Sequence, residues 1–345
     1  RPPRSTLFPY TTLFRSEINL KKDVSSARSS GFENYAFTHE ALPEIDLTHV
    51  KTDTRFLEKS LNIPLLISSM TGGTPEGSLI NLRLAEAANE TGVAMGVGSQ
   101  RADLERKKSE KLSNIRDIAP NIPLYANLGA VQLNYGFTVN DCQKAVDLIR
   151  ADALILHLNP LQEALQPEGQ TNFYGLAKKI ELVCKTIEVP VIVKEVGWGI
   201  SASTARKLIE LGVSAIDVAG AGGTSWSEVE KHRSDGDRNF RLAGNYRDWG
   251  IPTADAVVEA REALPGTPIV ASGGMNTGIE VAKAIALGAN IAGVARPFLI
   301  AANESTEAVI SKIQEIRKEL RITMFVVGAG TIDALASTHI QLRSS

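Results

Sequence analysis

From Ile63 onward the chain repeats one unit eight times: a short apolar run rich in Val, Ile and Ala, then a longer stretch of helical period. Continuous apolar runs are buried on both faces, and parallel strands need a crossover between them, so the repeat predicts a parallel sheet covered by helices. The strand candidates are 64–69, 93–98, 123–128, 153–158, 190–196, 215–219, 268–272 and 291–295. Several of the intervening helices carry their own punctuation. Ser201 and Asn276-Thr277 open helical stretches with capping side chains, and Gly92, Gly212 and Gly288 stand where a left-handed residue closes a last turn. Eight even units predict an α/β (β/α)8 barrel of the TIM type in preference to an open doubly wound sheet, because closure leaves no edge strand to protect.

Three segments depart from that rhythm. Residues 1–16 (RPPRSTLFPYTTLFRS) have no period, no apolar core like a signal peptide's and no amphipathic pattern, and they read as foreign to the fold, resembling translated adapter or vector sequence. Residues 17–62 read as an N-terminal arm, leaving 63–345 for the barrel. Residues 225–249, rich in Arg, Asp, Gly and Asn, interrupt the sixth unit and read as an irregular lid.

Charge and cysteine usage narrow the function. With 37 Lys and Arg against 39 Asp and Glu, the formal charge is −2, so no global basic field exists to hold nucleic acid or an anionic membrane, and any anion must be bound locally. Cys142 and Cys184 are far apart with no C-x-x-C partner, which predicts two thiols in a reducing cytoplasm rather than a disulfide or zinc site. No apolar run approaches the roughly 18 to 20 residues of a membrane span.

In a barrel of this type the chemistry stands after the C-terminal ends of the strands. In order these loops read SSMTGG (68–73), GSQR (98–101), NLG (127–129), HLNPLQE (157–163), KEVG (194–197), AGAGGT (219–224), SGGM (272–275) and ARP (295–297). The last three predict a phosphate site, since glycines let backbone N–H groups approach an anion and a helix N-terminus adds a favourable dipole. Lys194 ends an apolar strand where an unpaired ammonium is costly, and Glu195 points to the opposite face, so Lys194 is expected to meet an anionic or electron-rich ligand such as the pyrimidine side of a flavin. His157, Asn159, Gln162 and Glu163 crowd four polar groups into seven residues. Their donors suit phosphate oxygens, and Glu163 offers the hard oxygen that Mg²⁺ takes beside a diphosphate. No second carboxylate is recognisable nearby, which predicts a metal held mainly by substrate oxygens and water.

The runs ISSMTGG (67–73), GVGSQR (96–101), NLGA (127–130), HLNPLQE (157–163) with QPEG (166–169), KEVGWG (194–199) and AGAGGTSW (219–226) resemble type 2 isopentenyl diphosphate isomerase, in order and over roughly residues 20–340. The H-x-N-x-x-Q-E run is specific to that family; the glycine loops are shared with many flavin barrels. The resemblance implies a cytoplasmic homo-oligomer, a tetramer or octamer, that interconverts isopentenyl and dimethylallyl diphosphate with Mg²⁺ and FMN reduced by NADPH. It would place FMN on Ser69, Met70, Thr71, Ser99, Asn127, Lys194, Thr224, Gly273, Gly274, Met275, Ala295 and Arg296. Substrate would fall to Gln100, Arg101, His157, Asn159 and Gln162, with Mg²⁺ on Glu163. The reaction is a 1,3 proton shift without net redox, so reduced flavin would act as acid and base, with Gln162 close to the transferring proton and His157 beside it.

One departure matters. The family opens with an Arg-Lys pair that helps grip the diphosphate, shortly before the stretch matching Glu17 to Leu20, and here Thr11 to Ser16 occupy that place. Each lost charge-assisted contact is expected to cost about 1.5 to 3 kcal/mol of binding. Two other readings share parts of this pattern. An FMN-dependent oxidase or dehydrogenase of 2-hydroxy acids shares the barrel and the Lys, but would carry a catalytic His and Arg after strand six, where this chain has AGAGGT. A flavin-binding barrel without activity is the other.

Overall fold

The computed structural model describes residues 17–70, 75–106, 114–233 and 237–343. The foreign-looking 1–16 segment, with the Thr11 to Ser16 stretch, and the proposed flavin contact Thr71 lie outside them. All eight expected strands form: β1 (Leu65–Ile67), β2 (Ala94–Gly96), β3 (Leu124–Gly129), β4 (Ala153–His157), β5 (Val191–Lys194), β6 (Ala215–Asp217), β7 (Ile269–Ser272) and β8 (Ile291–Val294). Each pairs in parallel with the next, and β8 closes on β1 through Ala292–Leu65, Gly293–Leu66 and Val294–Ile67. The chain is therefore a closed (β/α)8 barrel.

Strand alternation sorts the side chains into two packed regions. Leu66, Tyr125, Ile155, Ile192, Val270 and Ile291 point inward and fill the barrel with small Ala94, Ala153 and Ala215 between them. Their neighbours, among them Leu65, Ile67, Leu154, Leu156, Val191, Val193, Ile216 and Ala271, point outward under the helices. Phe56 and Leu61 of the hairpin Thr54–Phe56/Lys59–Leu61 join the inner cluster, and Lys59 with Arg116 pairs Asp152 just before β4, so the hairpin caps the N-terminal end. Two residues further along each strand, the same inward period brings Ser68, Asn127, His157, Lys194, Asp217 and Ser272 to the C-terminal end, with Gly96 and Gly293 leaving space. The site is thus the next layer of the barrel itself.

The helices needed below are α1 (Pro160–Leu165), α2 (Trp226–Arg233), α3 (Asp237–Gly244), α4 (Thr253–Ala263) and α5 (Arg296–Glu304). α2 and α3 correct the expectation of an irregular 225–249 segment. Helicity in α2 has no apolar stripe to reveal it: the helix buries Ser227, Glu228 and Glu230 beside Val229. The charges are satisfied locally instead, by the Lys231–Glu228 pair at 2.9 Å, by the Lys231 ammonium 4.8 Å from the Phe240 ring centroid, and by Arg233 on Glu230. The arm is also more ordered than its pattern suggests. Ser25 bridges Thr224, Ile18 and Val24 pack on Val229, and Tyr35–Phe37 pairs antiparallel with Ile340–Leu342 near the other end of the chain.

Candidate active site

A cavity of about 980 Å³ opens at the C-terminal end of the barrel, at the upper end of the range for small-molecule pockets. It brings together Ser69, Met70, Ser99, Arg101, Asn127, His157, Asn159, Gln162, Glu163, Lys194, Thr224, Gly273, Gly274, Met275, Ala295 and Arg296. Gln100, expected to touch substrate, is not among its walls. It is fully buried, its Nε2 donates to Ala145 O at 2.9 Å and its Oε1 accepts from Asn127 N at 2.9 Å, so both ends of the amide tie β2 to β3 and to the following helix. A sequence motif shows that residue 100 is near the mouth; only the packed backbone decides which way its amide turns.

The glycine loops after β6 and β7 lie backbone against backbone. A Cβ on Gly223 would come within 2.6 Å of Gly274 N, and one on Gly273 within 2.1 Å of Gly220 O. Thr253, at the start of α4, locks the pair by donating from Oγ1 to Gly273 O at 2.7 Å. These glycines therefore serve loop contact as well as an open anion cradle. Arg296, at the start of α5, reaches back to the arm, its Nε donating to Asn19 O at 3.3 Å.

Among the described residues, Ser68 Oγ and Ser69 Oγ are buried in the cavity wall without a protein partner, two hydroxyls left for a ligand. Lys194 is 9% exposed, and its Nζ donates to Glu195 O at 2.6 Å. The Glu195 carboxylate faces elsewhere, as alternation requires: its Oε2 accepts from the amides of Val196, Gly197 and Trp198 at 2.6 to 2.7 Å. Burial pushes the Glu195 carboxyl up to about 7, against the opposing pull of those amides and Lys194. Asp217, beside Lys194 in the β5/β6 register, accepts from Ser272 Oγ at 2.6 Å and is also raised by burial, with Lys194 the main opposing influence. The hydroxyls, the glycine cradle and the ammonium fit a flavin phosphate and ring.

His157 donates from Nδ1 to Asn127 Oδ1, 2.9 Å away, and burial followed by the Lys194 charge holds its value down to about 3. Beyond it, Pro160 opens α1, which turns Gln162 and Glu163 inward. Asn159 Nδ2 donates to both Gln162 Oε1 (3.1 Å) and Glu163 Oε1 (2.9 Å), and Gln170 N donates to Glu163 Oε2 at 2.6 Å. Each carboxylate oxygen keeps a lone pair for a cation. Among the described residues no three potential metal ligands cluster, so Glu163 fits a cation completed by ligand oxygens and water and not an all-protein cage.

Two more carboxylates line the cavity, contrary to the expectation of Glu163 alone. Glu230 of α2 accepts from Gln162 Nε2 at 3.3 Å, and Arg233 clasps Glu230 and, at 2.5 Å, Glu168. No local pattern marks Glu230 and Arg233, because their helix holds only Trp226 and Val229 as apolar residues, too few to form a stripe. Asp217 did carry a signal, the inward period of Ala215-Ile216-Asp217.

A model of the FMN-dependent dehydrogenase family matches residues 161–342. The chain is 52% identical over 326 residues to the isopentenyl-diphosphate delta-isomerase of Rickettsia peacockii (strain Rustic), covering 94% of this chain and 95% of that protein. It is 50% identical, over the same shares, to that of Rickettsia bellii (strain RML369-C). Among solved structures, a flavocytochrome b2 variant with sulfite bound is similar with a TM-score of 0.71 at 19% identity, covering 95% of this chain and 82% of that one. A mandelate oxidase variant with 2-hydroxy-phenylacetamide gives 0.64 at 18%, covering 99% and 95%. These two likenesses concern the fold alone.

Proposed function

The chain belongs to the isopentenyl-diphosphate delta-isomerase family, within the wider FMN-dependent dehydrogenase family, and from that premise we propose that it interconverts isopentenyl and dimethylallyl diphosphate by the type 2, flavin-dependent route. The observation that carries the reading is the Asn159–Gln162–Glu163 cluster on α1, facing the Lys194 and glycine-loop side of one cavity. One part suits a diphosphate with its cation, the other a flavin.

FMN, reduced by NADPH, supplies a site that can give and take a proton. The residues of this chain do the rest. Lys194 places a positive charge at the flavin position, and the loops holding Gly273, Gly274 and Arg296 receive its phosphate. Arg101, His157 and Asn159 orient the diphosphate, and Glu163 contributes the protein oxygen to Mg²⁺. A proton is added to the terminal carbon of the double bond and another leaves two carbons away, so nothing is oxidised. Gln162, held between Asn159 and Glu230, faces that path as a neutral hydrogen-bonding group. The loop after β6, Ala219 to Thr224, carries no imidazole or guanidinium, which leaves the 2-hydroxy-acid oxidase reading without its base. Segment 225–249 with the arm serves as the lid, and the active form is a cytoplasmic homo-oligomer, a tetramer or octamer. Among the described residues no helix is long and apolar enough to cross a membrane.

The test is direct: reduce the flavin-loaded protein anaerobically with NADPH and Mg²⁺ and follow isopentenyl diphosphate in D₂O by NMR. Deuterium entering dimethylallyl diphosphate supports the assignment. A flavin-loaded protein inert in this assay, even with Arg-Lys restored ahead of Glu17, would overturn it.

A further inference from the structure

Among the described residues His157 is held at one ring nitrogen only. Its partner, Asn127 Oδ1, cannot be exchanged for the amide nitrogen, because Asn127 Nδ2 already donates to Val97 O at 3.1 Å and Gln100 pins the Asn127 backbone. An amide oxygen only accepts, so Nδ1 carries the proton. A neutral ring then turns a bare Nε2 over Gly129, where an added Cβ would lie 3.0 Å from it. Among the described residues Nε2 has no hydrogen-bond partner, and the side chain lines the cavity. As it stands that atom is an acceptor, and an acceptor repels a phosphate oxygen.

The charges around the ring set its protonation. Lys194 faces it from β5 and, with burial, keeps the imidazole neutral. On the β3 side it meets the uncharged Asn127, and the uncharged Gln132 lines the same cavity. Around the same mouth stand Arg101, Arg296 on α5, Glu163 on α1, and Glu230 and Arg233 on α2, while Asp217 on β6 is fully buried beside Lys194. Arg233 is already committed to Glu230 and Glu168, and Arg101 to Glu105 at 2.8 Å, so part of the cavity's positive charge is offset by the protein's own carboxylates before a multiply charged anion enters.

We propose that a diphosphate entering this cavity draws one proton onto His157 Nε2, converting it from acceptor to donor, with Asn127 as the positioning residue that keeps the Nδ1 proton in place. The proton comes from solvent, the new N–H bond is the only covalent change, and no electrons move. The inference rests on the diphosphate reading above and adds to it that binding is proton-coupled.

The experiment uses the flavin-bound protein with isotopically labelled histidine and inorganic pyrophosphate. Loss of one of the five histidine signals in His157→Gln assigns the ring. The expected result is a neutral His157 signal from pH 6 to 8 without ligand and an imidazolium signal at saturation. Pyrophosphate affinity should also fall with rising pH about tenfold per unit more steeply in the parent than in His157→Gln. In Asn127→Asp, where a carboxylate replaces the amide, the ring should be imidazolium before any ligand is added; a ring that stays neutral there removes the role given to Asn127. Saturation with the ring still neutral, or equal pH slopes in parent and His157→Gln, overturns the proton coupling and leaves the diphosphate site standing. Failure of pyrophosphate to bind at all overturns both.

Discussion

Gln162 Nε2 donates to Glu230 Oε1 at 3.3 Å, joining α1 to α2 across 68 residues of chain. The bond holds the amide nitrogen away from Asn159, whose own amide takes the opposite end at Gln162 Oε1.

Glu230→Ala should therefore release Gln162 and strip Arg233 of one partner. Loss of a hydrogen bond to a charged group is worth about 1.5–3 kcal/mol, so turnover of isopentenyl diphosphate is expected to fall about tenfold or more while KM changes little. Steady-state kinetics on the reduced enzyme decide this. An unchanged kcat would mean that Gln162 needs no such support.

Glu163→Gln keeps an oxygen to accept from Asn159 but loses the charge. The Mg²⁺ concentration giving half-maximal activity should rise about tenfold or more with flavin content unaltered, and a Mg²⁺ titration of the variant reads it directly. Equal titration curves would remove Glu163 from the metal.

Lys194→Met replaces an ammonium by an apolar chain of similar reach. FMN affinity, measured by quenching of flavin fluorescence, should weaken about tenfold or more. The His157 value should rise at the same time, since Lys194 is one of the two causes that depress it.

Acid stability should carry the signature of His157. Its folded value of about 3 lies below the ordinary 6.5, so between these pH values the unfolded chain binds a proton that the native one refuses, and stability falls as pH drops through that window. Glu195 acts with the opposite sign. Raised from 4.5 to about 7, it contributes stability that is complete below 4.5 and lost as pH rises through 7. His157→Gln removes only the first effect, so its melting temperature relative to the parent should climb as pH is lowered from 7 to 5. Parallel melting curves would show that the imidazole is not kept neutral.

Thr253→Val deletes the hydroxyl that locks the glycine loops while keeping the side chain's shape. A loss of about 1 kcal/mol of stability is expected, with weaker flavin binding. Gly273→Ala should be far worse, because its φ of +109° lies in a region that favours glycine and Gly220 O stands where the new carbon must go. Thermal melts of the two variants should rank in that order.

Much of this site was readable along the chain, for a reason visible in β4 and β5. Leu154-Ile155-Leu156-His157 and Val191-Ile192-Val193-Lys194 alternate between helix-facing and barrel-facing positions, and a strand's period of two belongs to the covalent backbone, so the inward direction of the last residue is set by the apolar ones before it. The repeat likewise dictates eight units, and eight parallel units close.

What tertiary structure alone decided concerns residues whose surroundings come from distant segments. Gln100 has the residue type and place of a ligand contact, yet its amide is consumed by Ala145 and Asn127. Glu230 and Arg233 enter the cavity on a helix whose charges pair within a turn and whose apolar residues, Val229 and Trp226, are met by Ile18 and Val24 of the arm. Local sequence determined the barrel and the direction of its strand-end side chains, because alternation is a property of neighbouring residues. The partners of those side chains were decided only when segments tens to hundreds of residues apart came into contact, because hydrogen bonds and ion pairs depend on distance in space and leave no period in the sequence.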